Sequence, residues 1–160
     1  MNLSEKALSF WKEYNASLES QVEGVEVIEG PAGSYEITDE LLALYMSGKK
    51  TAGSSLLIDY KISGDALPVP GKLYWIVFDS NKRPKVILKT IRVEEHIFKE
   101  VPESVAVAEG EGDLSLSYWQ SAHRAFFKPF LKDWGVEDLE EETVVTEYFE
   151  LVYPQENKLG

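Results

Sequence analysis

The chain contains no cysteine. Disulfides, thiolate metal sites and a cysteine nucleophile are therefore excluded, and a reducing compartment suits the composition. Histidine is scarce as well, with His96 and His123 the only two. A zinc site would have to be completed by carboxylates, and no spacing calls for one. The Gly-x-Ser-x-Gly elbow of serine hydrolases is missing. So are long apolar runs: nothing nears the roughly 20 residues of a membrane span. Glu5 and Lys6 put charge where a secretory signal needs an apolar stretch, so the expected location is the cytoplasm, with no membrane contact. Basic charge is the last deficit. Lys and Arg number 16 against 28 Asp and Glu, giving a net charge of −12. Such a surface repels phosphate backbones, so no DNA partner is expected. RNA, if bound, must be gripped locally, by a base or nucleoside rather than by a long stretch of backbone.

What the chain does have is ordinary for a globular protein. Its 160 residues are 44% hydrophobic and 28% charged, enough to bury roughly two-thirds of the unfolded surface in one domain. No internal repeat or low-complexity tract interrupts it. A first helix is expected over Ser4 to Ser20, with Ser4 as N-cap, Leu3 and Leu8 at staple positions, and Leu3, Ala7, Phe10, Trp11, Tyr14 and Leu18 on one face. After a loop from Gly24 to Gly33, with room for a short strand at Val25 to Ile28, a second helix starts at Thr38 and ends at Gly48. The middle reads as sheet: Ser55 to Lys61, then Lys72 to Phe78, a turn at Asp79 to Arg83, and Pro84 to Glu94. Pro102 opens a short helix towards Glu109, and a longer one runs from Leu114 to Trp134 with Asp113 or Ser115 as its cap. Thr143 to Tyr153 is a final strand. Few helical crossovers separate the strands, which points to an α+β fold with a largely antiparallel or barrel sheet.

Two stretches could carry chemistry. Gly48-Lys49-Lys50-Thr51-Ala52-Gly53-Ser54-Ser55 joins a helix to a strand, and its lysines, hydroxyls and small residues suit an anion or carbonyl site. It is not a Walker loop, because its lysines precede the second glycine. A solvated turn is the plain alternative. The second stretch, Ala108 to Trp119, places Glu109, Glu111 and Asp113 among glycines. It lacks the ligand order of a calcium hand, and three carboxylates would repel a phosphate. A carboxylate aimed into a cleft would instead accept from a base edge or shuttle a proton for a lysine. The alternative is that Asp113 caps the next helix while both glutamates face water. His123 lies on a stripe with Trp119 and Phe126, as a satisfied core or cleft-edge histidine would.

Gly-Lys-Lys-Thr-Ala with Ser-Ser-Leu-Leu, the turn Leu-Pro-x-x-Gly, and Glu-Gly-Glu-Gly-Asp-x-Ser-Leu-x-Tyr-Trp with His-Arg-x-Phe-Phe downstream together resemble the ASCH family. They fall in family order from about Tyr35 to Tyr153. The resemblance implies a PUA-like β-barrel with flanking helices over residues 25–160, residues 1–24 forming an extra N-terminal helix docked on it. It also implies a cleft between the lysine loop and the acidic loop, and an association with RNA. Some small bacterial members hydrolyse the acetyl amide of acetylcytidine nucleosides with a lysine, a threonine and a glutamate, and others are linked to ribonuclease activity. Carried over by position, the lysine falls on Lys50 and the glutamate on Glu111, but the threonine position holds Gly53. Glycine supplies no nucleophile, so Ser54 or Thr51 would have to serve, and on a strand the next residue faces the other way. Leu114 also stands where many relatives carry arginine.

Three functions follow as expectations. The first is binding of RNA or a modified nucleoside, with Lys50 on a phosphate or carbonyl, Glu111 on a base amine, and Trp119 stacking; Lys49, Thr51, Gly53, Asp113, Ser115, His123 and Arg124 complete the expected ligand contacts. The second is an amidohydrolase with Lys50 as base, Ser54 or Thr51 as nucleophile and Glu111 as proton shuttle; ribonuclease activity is a variant for which these residues, without paired histidines or a metal cluster, spell out no chemistry. The third is recruitment of a partner by the aromatic leading helix. None of them requires a metal or a cofactor.

Overall fold

The computed structural model describes residues 2–155; positions 156–160, the end of the expected main domain, lie outside them. Helix α1 (Glu5–Ala16) opens at Ser4, whose hydroxyl accepts from the Ala7 amide and so satisfies one free donor of the first turn. The expected continuation to Ser20 does not occur. Asn15 donates to the Trp11 carbonyl and accepts from the Val22 amide, while the Ser17 hydroxyl donates to the Tyr14 carbonyl. These bonds turn the chain away after Ala16, and Leu18 is left outside the helix.

Five strands form one sheet: β1 (Glu26–Pro31), β2 (Ala52–Leu56), β3 (Leu73–Phe78), β4 (Pro84–Ile97) and β5 (Thr143–Tyr153). Their order is β1-β3-β4-β5-β2. The β1–β3 pair is parallel and the others antiparallel. With β1 and β2 as its edges, the sheet is a curved half-barrel rather than a closed one.

Alternation along the strands gives the sheet two apolar faces. On one, Tyr74, Ile76, Phe78, Ile87 and Val152 pack under Ala7, Trp11 and Tyr14 of α1. On the other, Val77, Val86, Leu88 and Phe149 meet Leu42 and Tyr45 of helix α2 (Thr38–Ser47). Buried Thr38 fixes the start of α2 on the sheet, accepting from the Ala32 amide and donating to the Phe78 carbonyl. Gly48, at φ 82°, ends it in the left-handed region as expected.

The expected strand from Ser55 to Lys61 is instead the end of β2 followed by helix α3 (Leu57–Ser63). Leu57, Ile58 and Tyr60 have high strand propensity, but tertiary packing overrides it. Ile58 packs against the core beneath the later helices, and Gly64 at φ 79° caps the turn. That core joins Leu56, Phe98, Val105, Trp119, Phe127 and Val144, drawn in part from helices α4 (Glu103–Glu109) and α5 (Leu116–Leu131). Helix α5 is shorter than the expected Leu114–Trp134. Leu114 has φ 68°, Ser115 caps by accepting from the Tyr118 amide, and Pro129 removes an amide from the last turn. Among the described residues, no helix is long and apolar enough to cross a membrane.

Trp11 stands 5.2 Å edge-on from Tyr74 and is nearly fully buried. Replacing it with alanine should lower the unfolding free energy by about 3–5 kcal/mol in urea denaturation. Lys12→Ala, on the exposed side of the same helix, should change it by no more than about 0.5 kcal/mol.

Candidate functional site

The end of α2, strand β2 and the segment after α4 converge because their backbones are joined. The Thr51 amide donates to the Ala108 carbonyl at 2.7 Å, and the Thr51 hydroxyl reaches the same oxygen at 3.3 Å. Gly110, at φ 68°, lies so close to the lysine loop that a Cβ there would fall 2.1 Å from the Lys49 carbonyl oxygen. Only glycine fits.

This joint brings Lys50, 5% exposed, to the acidic loop. Its Nζ donates to Glu111 Oε2 at 2.7 Å and to the Glu109 carbonyl at 3.3 Å, and lies 3.5 Å from Glu109 Oε1. Glu109 is the centre of the arrangement, with 2% of its surface exposed. Its Oε2 accepts from the Ser54 hydroxyl at 2.5 Å and from the Trp119 indole at 2.6 Å. His123 Nε2 lies 3.4 Å from Glu109 Oε1, while Nδ1 is 2.8 Å from the Trp119 carbonyl. Both ring nitrogens thus face acceptors. Burial by itself would push the Glu109 carboxyl up. The hydrogen bond and charge of His123, the Lys50 ammonium and the Ser54 hydroxyl outweigh it and hold the group at about 2.

Beside this cluster opens a cleft of about 510 Å³, within the usual size of a small-molecule site. Lys50, Glu109 and Glu111 line one end. Its walls are mostly apolar: Tyr45 from α2, Trp75 from β3, Phe149 from β5 and Phe126 from α5. Tyr45, Trp75 and Phe149 pack with ring centroids 5.8–6.0 Å apart. The Lys50 ammonium sits 5.4 Å from the Tyr45 ring centre. Burial first, and then the charges of Glu109, Glu111 and Glu147, keep the Tyr45 phenol well above its ordinary range. It is a neutral donor.

Of the residues singled out in the sequence, Lys50, Gly53, Ser54, Glu111 and His123 share the cleft lining. Trp119 lies behind it, 2% exposed and stacked 4.0 Å from His123. Its indole supports Glu109 and offers no free face to a base. Lys49, Thr51, Asp113, Ser115 and Arg124 are outside the lining. Asp113 accepts from the Ser115 amide, Ser115 caps α5, and Arg124 pairs with Glu140 at 3.0 Å. The Ser54 hydroxyl, having given its proton to Glu109, accepts from Thr146 at 2.8 Å. Among the described residues, no three of His, Cys, Asp and Glu gather as a metal-ion site.

Glu147 was not singled out, and Glu109 was named only within the acidic stretch with exposure to water as its alternative, which its burial overturns, although the sequence marks both. Glu109 follows Val105 by one helical repeat, on the buried face of α4. Glu147 occupies the position of β5 that alternates with Val145, Phe149 and Leu151.

A mixed α+β half-barrel with a lysine–glutamate cluster lining an aromatic cleft is an architecture of the PUA-like kind. The ASCH domain model matches residues 30–153, and the chain belongs to that family. An ASCH domain from Lactobacillus crispatus JV V101 is similar over 96% of this chain and 98% of its own, with 29% identity and a TM-score of 0.86. A protein from Enterococcus faecalis V583 is similar over 93% of this chain and 91% of its own, with 32% identity and a TM-score of 0.78. No curated protein matches the sequence.

The contact at Gly110 predicts that Gly110→Ala lowers the unfolding free energy by more than about 2 kcal/mol, from left-handed strain and backbone overlap together. Thermal or urea denaturation measures it. A second expectation concerns acid. Glu109 titrates lower folded, at about 2, than the 4.5 of an unperturbed glutamate. Its contribution, about 3 kcal/mol, is therefore fully present above the unfolded value and is lost as pH falls through the folded one. Urea midpoints followed from pH 5 to pH 2 should fall more steeply for the parent protein than for Glu109→Gln.

Proposed function

We propose that this protein binds a nucleoside-sized ligand, either free or as an exposed residue of an RNA, in the cleft between the lysine and acidic loops. The observation that carries this reading is the Lys50–Glu111 pair, 2.7 Å apart, at the end of a cleft walled by Tyr45, Trp75, Phe126 and Phe149. Aromatic walls receive the flat faces of a heterocycle whatever its identity. Lys50 offers a donor to a carbonyl or phosphate oxygen, and Glu111, the less buried of its two carboxylate partners, accepts from an amine. The net charge of −12 supports a local grip over a long electrostatic one, since an acidic surface repels the rest of a nucleic-acid backbone.

Hydrolysis of an acylated nucleoside amide is the second reading, favoured by the same Lys50–Glu111 pair. The hydroxyls give it less support. Gly53 has none, Thr51 donates to the Ala108 carbonyl, and the Ser54 proton points at a carboxylate held at about 2. A group that acidic is a weak general base.

Isothermal titration with cytidine, acetylcytidine and short RNA oligomers tests the binding reading. One-to-one binding of nucleosides is expected, weakened roughly tenfold in Glu111→Gln by loss of a charged acceptor. Affinity for RNA should change little with salt. If no nucleoside or oligomer gives heat, the reading fails, and release of acetate from acetylcytidine would promote the second one.

A further inference from the structure

Glu147 lies on β5 directly across from Gly53 of β2, the two being register partners. Its side chain lines the cleft on the same sheet face as Phe149. It has a fixed orientation, because the Thr90 hydroxyl donates to Oε2 at 2.7 Å. It has no countercharge. Every other carboxylate lining the cleft is tied to a cation: Glu109 and Glu111 both hold Lys50. Among the described residues, Glu147 takes part in none of the ion pairs. Burial pushes its carboxyl up, against hydrogen bonds from Thr90 and Tyr60. Thr90 and Tyr60 satisfy part of its accepting capacity, and a carboxylate with two oxygens can still accept from a donor in the cleft.

The space in front of it is also accounted for. Gly53 has no side chain, and a Cβ placed there would meet only the Tyr45 hydroxyl at 3.3 Å and the Phe149 ring at 3.6 Å. The glycine therefore leaves a notch bordered by a phenol donor, an aromatic face and a carboxylate acceptor. A flat ring seated against Phe149 and Trp75 would present its edge to this notch.

We infer that Glu147 is a specificity residue of the cleft, accepting a hydrogen bond from an amine carried on the edge of an aromatic heterocycle. The inference rests on the nucleoside-binding reading and narrows it: the preferred ligands bear an exocyclic amine, and Gly53 is the opening through which that amine reaches the acid. A ring of the same shape without the amine forgoes this hydrogen bond, and it is that loss that discriminates.

The experiment uses pairs of nucleosides that differ only in the amine: cytidine against 2-pyrimidinone riboside, adenosine against purine riboside, and guanosine against inosine. Dissociation constants are measured by titration calorimetry on the full chain. In the parent protein, the amine-bearing member of at least one pair should bind about tenfold more tightly. Glu147→Leu, which removes the acceptor at similar volume, should bring that pair within about twofold, and Glu147→Gln, which keeps a carbonyl acceptor, should retain part of the preference. Circular dichroism confirms that both variants are folded. A preference that survives Glu147→Leu in full overturns the inference, as does equal binding of both members of every pair by the parent protein; in either case nucleoside binding itself stands. Failure of all six nucleosides to bind the parent protein overturns both readings together.

Discussion

The carboxylate of Glu109 holds the site together. It is buried, and through its two oxygens it meets an ammonium from the turn after α2, a hydroxyl from β2, and an indole and an imidazole from α5. An ionised acid at this depth is tolerable only with such company. The dependence runs both ways. Without Glu109, Lys50 would be a nearly inaccessible cation with one partly exposed partner, and Ser54, Trp119 and His123 would each lose an acceptor. The cluster therefore fixes the relative placement of elements far apart in the chain, and a cleft wall built on it needs no help from a bound ligand to keep its shape.

Charge is distributed in the same spirit. The chain carries twelve more acidic than basic units, yet at the cluster the Lys50 ammonium sits between Glu109 and Glu111. The acidity lies mainly elsewhere, on a surface that discourages polyanions, while the cleft offers one compact zone of paired charge beside aromatic walls. On the binding reading proposed here, such a cleft would select for the size and edge chemistry of a ligand more than for its total charge.

Much of this was legible in the residues. Ser4, Thr38, Gly48 and Tyr153 mark boundaries that the structure reproduces, because caps and glycines act locally. Lys50 and Glu111 were brought to one place by family resemblance alone; nothing in their spacing, 61 positions apart, predicts the contact. What failed to show was tertiary in origin. The apolar run after Ser55 reads as strand by propensity, but its packing partners sit on α4 and α5. Trp119 looks like a stacking ring until its indole is seen bonded to Glu109. Glu109, given a water-facing alternative, and Glu147, not named at all, illustrate a different weakness: an acidic side chain in an apolar stripe is readily discounted as a solvated interruption, although the helical repeat from Val105 and the strand alternation around Phe149 both place the acid inward.

The close approach of Gly110 to the lysine loop bears on how the cleft exchanges its contents. With Thr51 bonded to Ala108 and no room for even a methyl group between the backbones, the two loops form a single stiff jaw, and hinge motion between them is blocked. The facing wall is different in kind: it comes from α5, where Phe126 is half-exposed and touches the rings of Phe127 and Phe130. On the binding reading, entry to the cleft would then depend on rotation of exposed side chains, a nanosecond motion, rather than on parting of these two loops.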